Sequence, residues 1–128
     1  MKPLALMPAV AVNAIRGVFC DIDDTLTSEG KLTARAYAAL ERLRSGGKLV
    51  IPITGRPAGW CDHIGRMWPV DAVVGENGAF YFYYDGARKK LAQHFLFDAP
   101  TRAANRDRLN AVRERILREV PGCAPASD

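Results

Sequence analysis

Cysteine is scarce in this chain, and the number of cysteines, three, is odd. Cys20, Cys61 and Cys123 stand far apart with no C-x-x-C among them. That argues against a disulfide framework or a structural zinc site and fits a reducing, cytoplasmic setting. Histidine is scarcer still: His63 and His94 have no companion at metal-ligand spacing, so both are expected to serve packing or the surface. No apolar run approaches the ~18 residues that a membrane-spanning helix needs, so no membrane partner is expected. The opening "MKPLALMPAVAVNAIRG" is apolar behind one lysine, but Pro3 and Pro8 interrupt it and Val10 to Phe19 lead straight into a polar motif. A signal peptide is therefore not expected. There is no internal repeat and no low-complexity tract. The net charge of +4 is not gathered into a basic stripe with interleaved aromatics. Its richest stretch, Arg102 to Arg118, is interspersed with Asp107 and Glu114, as a solvated helix face would be, so no nucleic-acid partner is expected.

What the chain does have is a core: 128 residues at 48% hydrophobic suffice for one ordinary domain. Residues 15–21 are apolar and β-branched, the pattern of a central strand covered on both faces. Thr33 is an expected N-cap for a helix over "ARAYAALERLRSGG", with Ala36, Leu40 and Leu43 on one face and Gly46-Gly47 as its stop. "KLVIPIT" reads as a second buried strand, and residues 58–67 as a short helix with Trp60, Ile64 and Met67 inward. "DAVVGENGA" reads as a third strand with a Gly-rich exit. Strand, helix, strand, helix, strand at these lengths implies right-handed crossovers and a parallel sheet, hence the α/β class. A ligand site should lie beyond the carboxyl ends of the strands. Asp21 to Asp24, Thr54 to Arg56 and Glu76 to Gly78 all fall at such ends. Further on, "AFYFYYDGARKKLAQHFLF" reads as an aromatic hairpin turning at Asp85-Gly86. "TRAANRDRLNAVRERILREV" reads as an amphipathic helix carrying Leu109, Val112, Ile116 and Val120 at 3-4 spacing, stopped by Pro121-Gly122. "CAPASD" then opens a further element.

The segment "IRGVFCDIDDTLTSEGKLT" poses the chemical question, because an apolar strand ends in Asp21, Asp23 and Asp24. Carboxylates that close repel one another unless a cation sits among them. Two readings stay open on the residues alone: acids solvated in a turn, or acids gathered for a metal ion. Cys20, beside them, is expected to be a small apolar filler rather than a nucleophile. For the metal reading, a hard cation such as Mg²⁺ takes oxygen ligands and keeps several waters, which suits paired carboxylates and a phosphate. One carboxylate could then attack phosphorus while the other protonates the leaving oxygen and activates water. Thr54 could donate to a phosphoryl oxygen.

The ordered segments "FCDIDDTLT" and "VIPITGRP" resemble motifs I and II of the haloacid dehalogenase (HAD) superfamily of phosphatases. "VVGENGA" resembles its Cof-type group (subfamily IIB), with a large cap inserted after the third strand; the likeness covers roughly residues 15–84. The resemblance implies a Rossmann-like parallel core. It makes Asp21 the nucleophile and a Mg²⁺ ligand, and Asp23 the general acid/base with its carbonyl on the metal. It makes Thr54 a phosphoryl ligand, puts Gly55 and Arg56 on the rim with Arg56 towards substrate, and has Glu76 and Asn77 face the cleft that reads the substrate. Asp24 stands where many members have Gly, and Thr25 is expected to brace the turn.

Members also carry a motif III Lys or Arg and a motif IV acidic pair in a G-D-x-x-N-D context. This sequence contains no such context, and Lys89 and Lys90 lie in the aromatic hairpin rather than at a motif III position. The resemblance is thus to the N-terminal part of a larger phosphatase. Residues 1–84 would be an incomplete core and residues 85–128 the start of an α+β cap. The function implied is Mg²⁺-dependent hydrolysis of a small, sugar-like phosphate through an aspartyl-phosphate. The alternatives are an inactive remnant or oligomeric binding and assembly module, joined through an exposed sheet edge or the cap, and phosphomutase-type phosphoryl transfer.

Overall fold

The computed structural model describes residues 3–125, so the last three residues of "CAPASD" lie outside the described part. After a short helix α1 (Ala9–Ala14), strand β1 (Gly17–Asp21) runs into a two-stranded antiparallel ribbon, β2 (Thr27–Ser28) and β3 (Lys31–Leu32). Helix α2 (Ala34–Ser45) returns the chain to β4 (Leu49–Ile53), and α3 (Ala58–Met67) returns it to β5 (Val73–Gly75). A hairpin of β6 (Phe80–Asp85) and β7 (Lys90–Phe95) follows, then α4 (Ala99–Glu119). The principal sheet has five strands in the order β1-β4-β5-β6-β7. β1, β4 and β5 are parallel, with Asp21 opposite Ile53 and Ile53 opposite Val74, while β6 joins β5 antiparallel. The class is α/β, as expected, and the sheet is mixed.

Local chemistry accounts for the elements. The Thr33 hydroxyl accepts the Ala36 N–H at 3.2 Å and starts α2, and Gly47, at φ +74°, lets the chain leave it. β5 is too short to reach the middle of β4, so Asp71 substitutes for a strand there. Its carboxylate accepts the Val50 N–H at 2.8 Å, and its own N–H donates to the Val50 carbonyl at 2.9 Å. Lys48 donates to the Ile15 carbonyl at 2.6 Å and pins the segment entering β1. At the hairpin the Asp85 carboxylate accepts the N–H groups of Ala87 and Arg88, an Asx turn where the sequence places one.

The core lies on one face of the sheet. Leu40 of α2, Cys61 and Ile64 of α3, and Val50, Val73, Phe80 and Phe82 of the strands are all buried together. The other face is open: Phe19 is 65% exposed, Leu49 52% and Tyr81 44%, with Ile53 and Tyr83 also exposed. The structure departs from two expectations. β1 is not central but the edge of the sheet, with no strand on its outer side among the described residues. In α3 the inward positions are Cys61, Ile64 and Gly65, whereas Trp60 is 46% and Met67 64% exposed. The sheet beneath α3 meets only the narrow i, i+3, i+4 stripe, and the flanking large residues remain outside it.

The chain divides into two compact units, one ending at His94 and the other beginning at Phe95. The five-stranded sheet accordingly continues past residue 84 through the hairpin. In the second unit α4 is capped by the Asp98 carboxylate, which accepts the Thr101 N–H at 2.9 Å. Arg102 lies over the Phe95 ring, 3.7 Å from its centroid. None of α4's described residues is buried; Leu109, Val112 and Ile116 are all exposed.

Candidate active site

Three adjacent parallel strands end side by side, and their exits carry the polar residues that the sequence singles out. Asp21 is the last residue of β1 and pairs in register with Ile53, so Thr54 follows one step beyond on β4. Hydrogen bonds lace the exits of β4 and β5 together. Thr54 N–H donates to the Val74 carbonyl at 2.9 Å, Asn77 N–H to the Thr54 carbonyl at 3.0 Å, and Glu76 N–H to the Arg56 carbonyl at 3.1 Å. Thr54 is buried, and its hydroxyl oxygen accepts the Arg56 N–H at 3.1 Å. A side chain at Gly55 would come within 3.3 Å of the Asn77 amide, so glycine keeps that approach open. Asn77 and Glu76 hold φ of 54° and 45°, left-handed conformations at the turn facing the strand ends.

One acid of the β1 exit, Asp23, joins this group through Arg56. Its Nη2 donates to Asp23 Oδ1 at 2.6 Å, and its Nε lies 3.2 Å from both Asp23 oxygens. These hydrogen bonds, with a smaller Coulombic contribution, hold the Asp23 carboxyl below the ordinary aspartate value of 3.8. Asp21 is exposed, with the Thr25 hydroxyl 3.5 Å from its Oδ2. Thr27 braces the turn as well as Thr25. Thr27 is buried, donates to the Ile22 carbonyl at 3.1 Å and accepts the Asp24 N–H at 3.2 Å. Asp24 has φ 57°, which explains a position suited to glycine: the chain turns there through the left-handed region, which Asp tolerates better than most side chains.

Beneath the loops, burial and the nearby Glu76 push the Cys61 thiol up to about 11, and burial also raises Cys20. Both thiols are structural fillers in the sense of a small apolar side chain. Trp60 is the residue that sequence reading misplaces most consequentially. Its ring lies 4.4 Å from the Arg56 guanidinium carbon, a cation–π contact at the rim. The signal that could have found it is an aromatic residue in the first turn of α3, four positions after a loop arginine.

As a cation site, the exit of β1 offers one exposed hard oxygen donor, the Asp21 carboxylate. Among the described residues no group of three or more His, Cys, Asp or Glu side chains converges to hold a metal. A carboxylate oxygen suits a hard ion that keeps most of its waters, as Mg²⁺ does, better than zinc, which takes nitrogen and sulfur ligands. Lys89 and Lys90 belong to the β6–β7 turn and its outgoing strand, away in sequence from all three exits.

A family model for haloacid dehalogenase-like hydrolases matches residues 18–100. Among solved structures, a Bacteroides thetaiotaomicron protein from the phosphatases of the haloalkanoate (HAD) superfamily aligns with a TM-score of 0.55 and 24% identity, over 88% of this chain and 40% of its own. A hypothetical protein of Geobacillus kaustophilus gives 0.55 and 28%, over 81% of this chain and 37% of its own. A haloacid dehalogenase-like hydrolase of B. subtilis gives 0.53 and 22%, over 76% and 33%. The chain therefore spans 40% or less of the length of these solved chains. Comparison with curated protein sequences found no match.

Proposed function

This chain belongs to the haloacid dehalogenase-like hydrolase family, and from that premise we propose that it provides the nucleophile half of a Mg²⁺-dependent phosphomonoester hydrolase acting on a small, sugar-like phosphate. The observation that carries the reading is the joining of the three strand exits. Backbone hydrogen bonds from Glu76 and Asn77 tie the β5 exit to Arg56 and Thr54, and the Arg56–Asp23 ion pair ties the β1 exit to the same loop.

In the proposed reaction an Asp21 oxygen attacks phosphorus, forming an acyl-phosphate bond as the bond to the leaving alcohol oxygen breaks. Asp23 gives its proton to that oxygen, then takes one from the water that attacks the aspartyl-phosphate and releases inorganic phosphate. Thr54 and Arg56 bind phosphoryl oxygens; Gly55 leaves room for Asn77, and Glu76 and Asn77 face the substrate's hydroxyls. Asp21 and the Asp23 carbonyl would hold Mg²⁺, which when bound offsets the negative charge of carboxylate and phosphate. Hydrolysis of a panel of small phosphate esters tests this. Turnover should require Mg²⁺ and fall by several orders of magnitude in Asp21→Asn, as for loss of a nucleophile. Equal turnover in the variant would sink the proposal.

A second reading, an assembly module that joins further copies or chains through its sheet, is favoured by one observation. The exposed residues Phe19, Leu49, Ile53, Tyr81 and Tyr83 share one face of the sheet, and among the described residues no strand pairs with the outer edge of β1.

A further inference from the structure

Arg56 is fixed far more firmly than a rim arginine needs to be. Its N–H donates to the Thr54 hydroxyl oxygen at 3.1 Å, and its carbonyl accepts the Glu76 N–H at 3.1 Å and the Cys61 thiol at 3.8 Å. Its guanidinium then packs on the Trp60 ring, 4.4 Å from the centroid, and presents its fork to the Asp23 carboxylate. Trp60 makes little contribution to the core, being 46% exposed, so its position at the start of α3 is explained by the arginine it supports. A guanidinium fork fits a phosphoryl group as well as a carboxylate, and a phosphoryl dianion carries the greater charge. The Arg56–Asp23 pair is open to solvent, 28% and 48% exposed, and so is readily exchanged.

We propose that Arg56, supported by Trp60, is a phosphate clamp that Asp23 occupies while no substrate is bound, and that the incoming phosphoryl group displaces the Asp23 carboxylate from it. The inference rests on the phosphatase reading and extends it. Asp23 is an internal competitor for the clamp, released to its proton-transfer work only when phosphate has taken its place. Trp60 is a positioning residue that acts through Arg56. No bond is made or broken in the exchange: one anion replaces another on the same N–H donors.

Calorimetric titration of the full chain with inorganic phosphate, in excess Mg²⁺, tests the clamp, with circular dichroism checking that each variant is folded. Asp23→Asn should bind phosphate several-fold more tightly than the wild type, because the competitor has lost its charge. Arg56→Ala should weaken binding by about tenfold or more. Trp60→Leu should weaken it several-fold and Trp60→Tyr much less, since tyrosine still offers a ring face. In the Arg56→Ala background Trp60→Leu should have no further effect. Absence of phosphate binding, unchanged or weaker binding by folded Asp23→Asn, or additive losses from Trp60 and Arg56 would each overturn the clamp. Asp21→Asn separates this from the phosphatase reading. Arg56-dependent phosphate binding that survives in a variant without turnover supports the clamp, whatever the fate of the hydrolytic assignment.

Discussion

The Arg56 hydrogen bonds hold the Asp23 carboxyl below the ordinary 3.8 and so keep it ionised to a lower pH in the folded chain. The unfolded chain takes up the Asp23 proton at a higher pH than the folded one does. The pair's contribution to stability is therefore complete above the ordinary aspartate value and is lost as pH falls through the lower folded value. Carbon-13 NMR titration of the Asp23 carboxyl should give a midpoint below 3.8 in the wild type and a higher one in Arg56→Ala. Coincident midpoints would show that Arg56 does not control this carboxyl. The sequence makes Asp21, Asp23, Thr54 and Arg56 recognisable as residues at strand ends, because β-α-β spacing alone brings those ends together. It does not reveal the Arg56–Asp23 pair, since the two positions are 33 residues apart and only the folded loops bring them together.

The elements around the site are held by a few specific contacts, two of which yield tests. Gly75 ends β5 so close to its neighbours that a Cβ would sit 2.3 Å from the Phe80 ring and 2.7 Å from the Cys61 sulfur. Gly75→Ala must displace the buried ring, and denaturant unfolding should show a loss of about 1–3 kcal/mol. A loss near zero would mean that the β5 exit is looser than described. Thr27 fastens the β1 exit from within, so Thr27→Val keeps the shape but leaves the Ile22 carbonyl and Asp24 N–H without its hydroxyl. It should cost about 1–3 kcal/mol, and hydrogen exchange at the Asp24 amide should quicken. Unchanged exchange would assign the bracing elsewhere. Periodicity locates α2 and α3 well, since Thr33 and Gly46-Gly47 mark one and the 58–67 pattern the other. It fails on which residues of α3 face inward: Trp60 and Met67 are as apolar as Ile64, and only the sheet opposite decides which side is covered. The same holds for β1, whose apolar composition suits a central strand while its actual place is an edge.

At the scale of the whole molecule, one face of the sheet is packed and the other carries exposed Phe19, Leu49, Ile53, Tyr81 and Tyr83. An apolar face of this kind beside a free strand edge favours association. Sedimentation velocity should show mass rising with concentration, and Phe19→Lys should lower it; a monomer at every concentration would remove the assembly reading. The solved chains most informative here are at least twice as long as the region they share with this one, since it covers 40% or less of each. The motif III cation and motif IV acids expected of a complete site have no counterpart in this sequence. The assignment of Asp21 as phosphoryl acceptor can nevertheless be tested directly. The chain is incubated with Mg²⁺ and acetyl phosphate, reduced with borohydride, which converts an aspartyl-phosphate to homoserine, and mapped by peptide mass spectrometry. Homoserine is expected at position 21 in the wild type and none in Asp21→Asn. Homoserine at another aspartate, or phosphate release undiminished in the variant without any homoserine at position 21, would contradict the assignment.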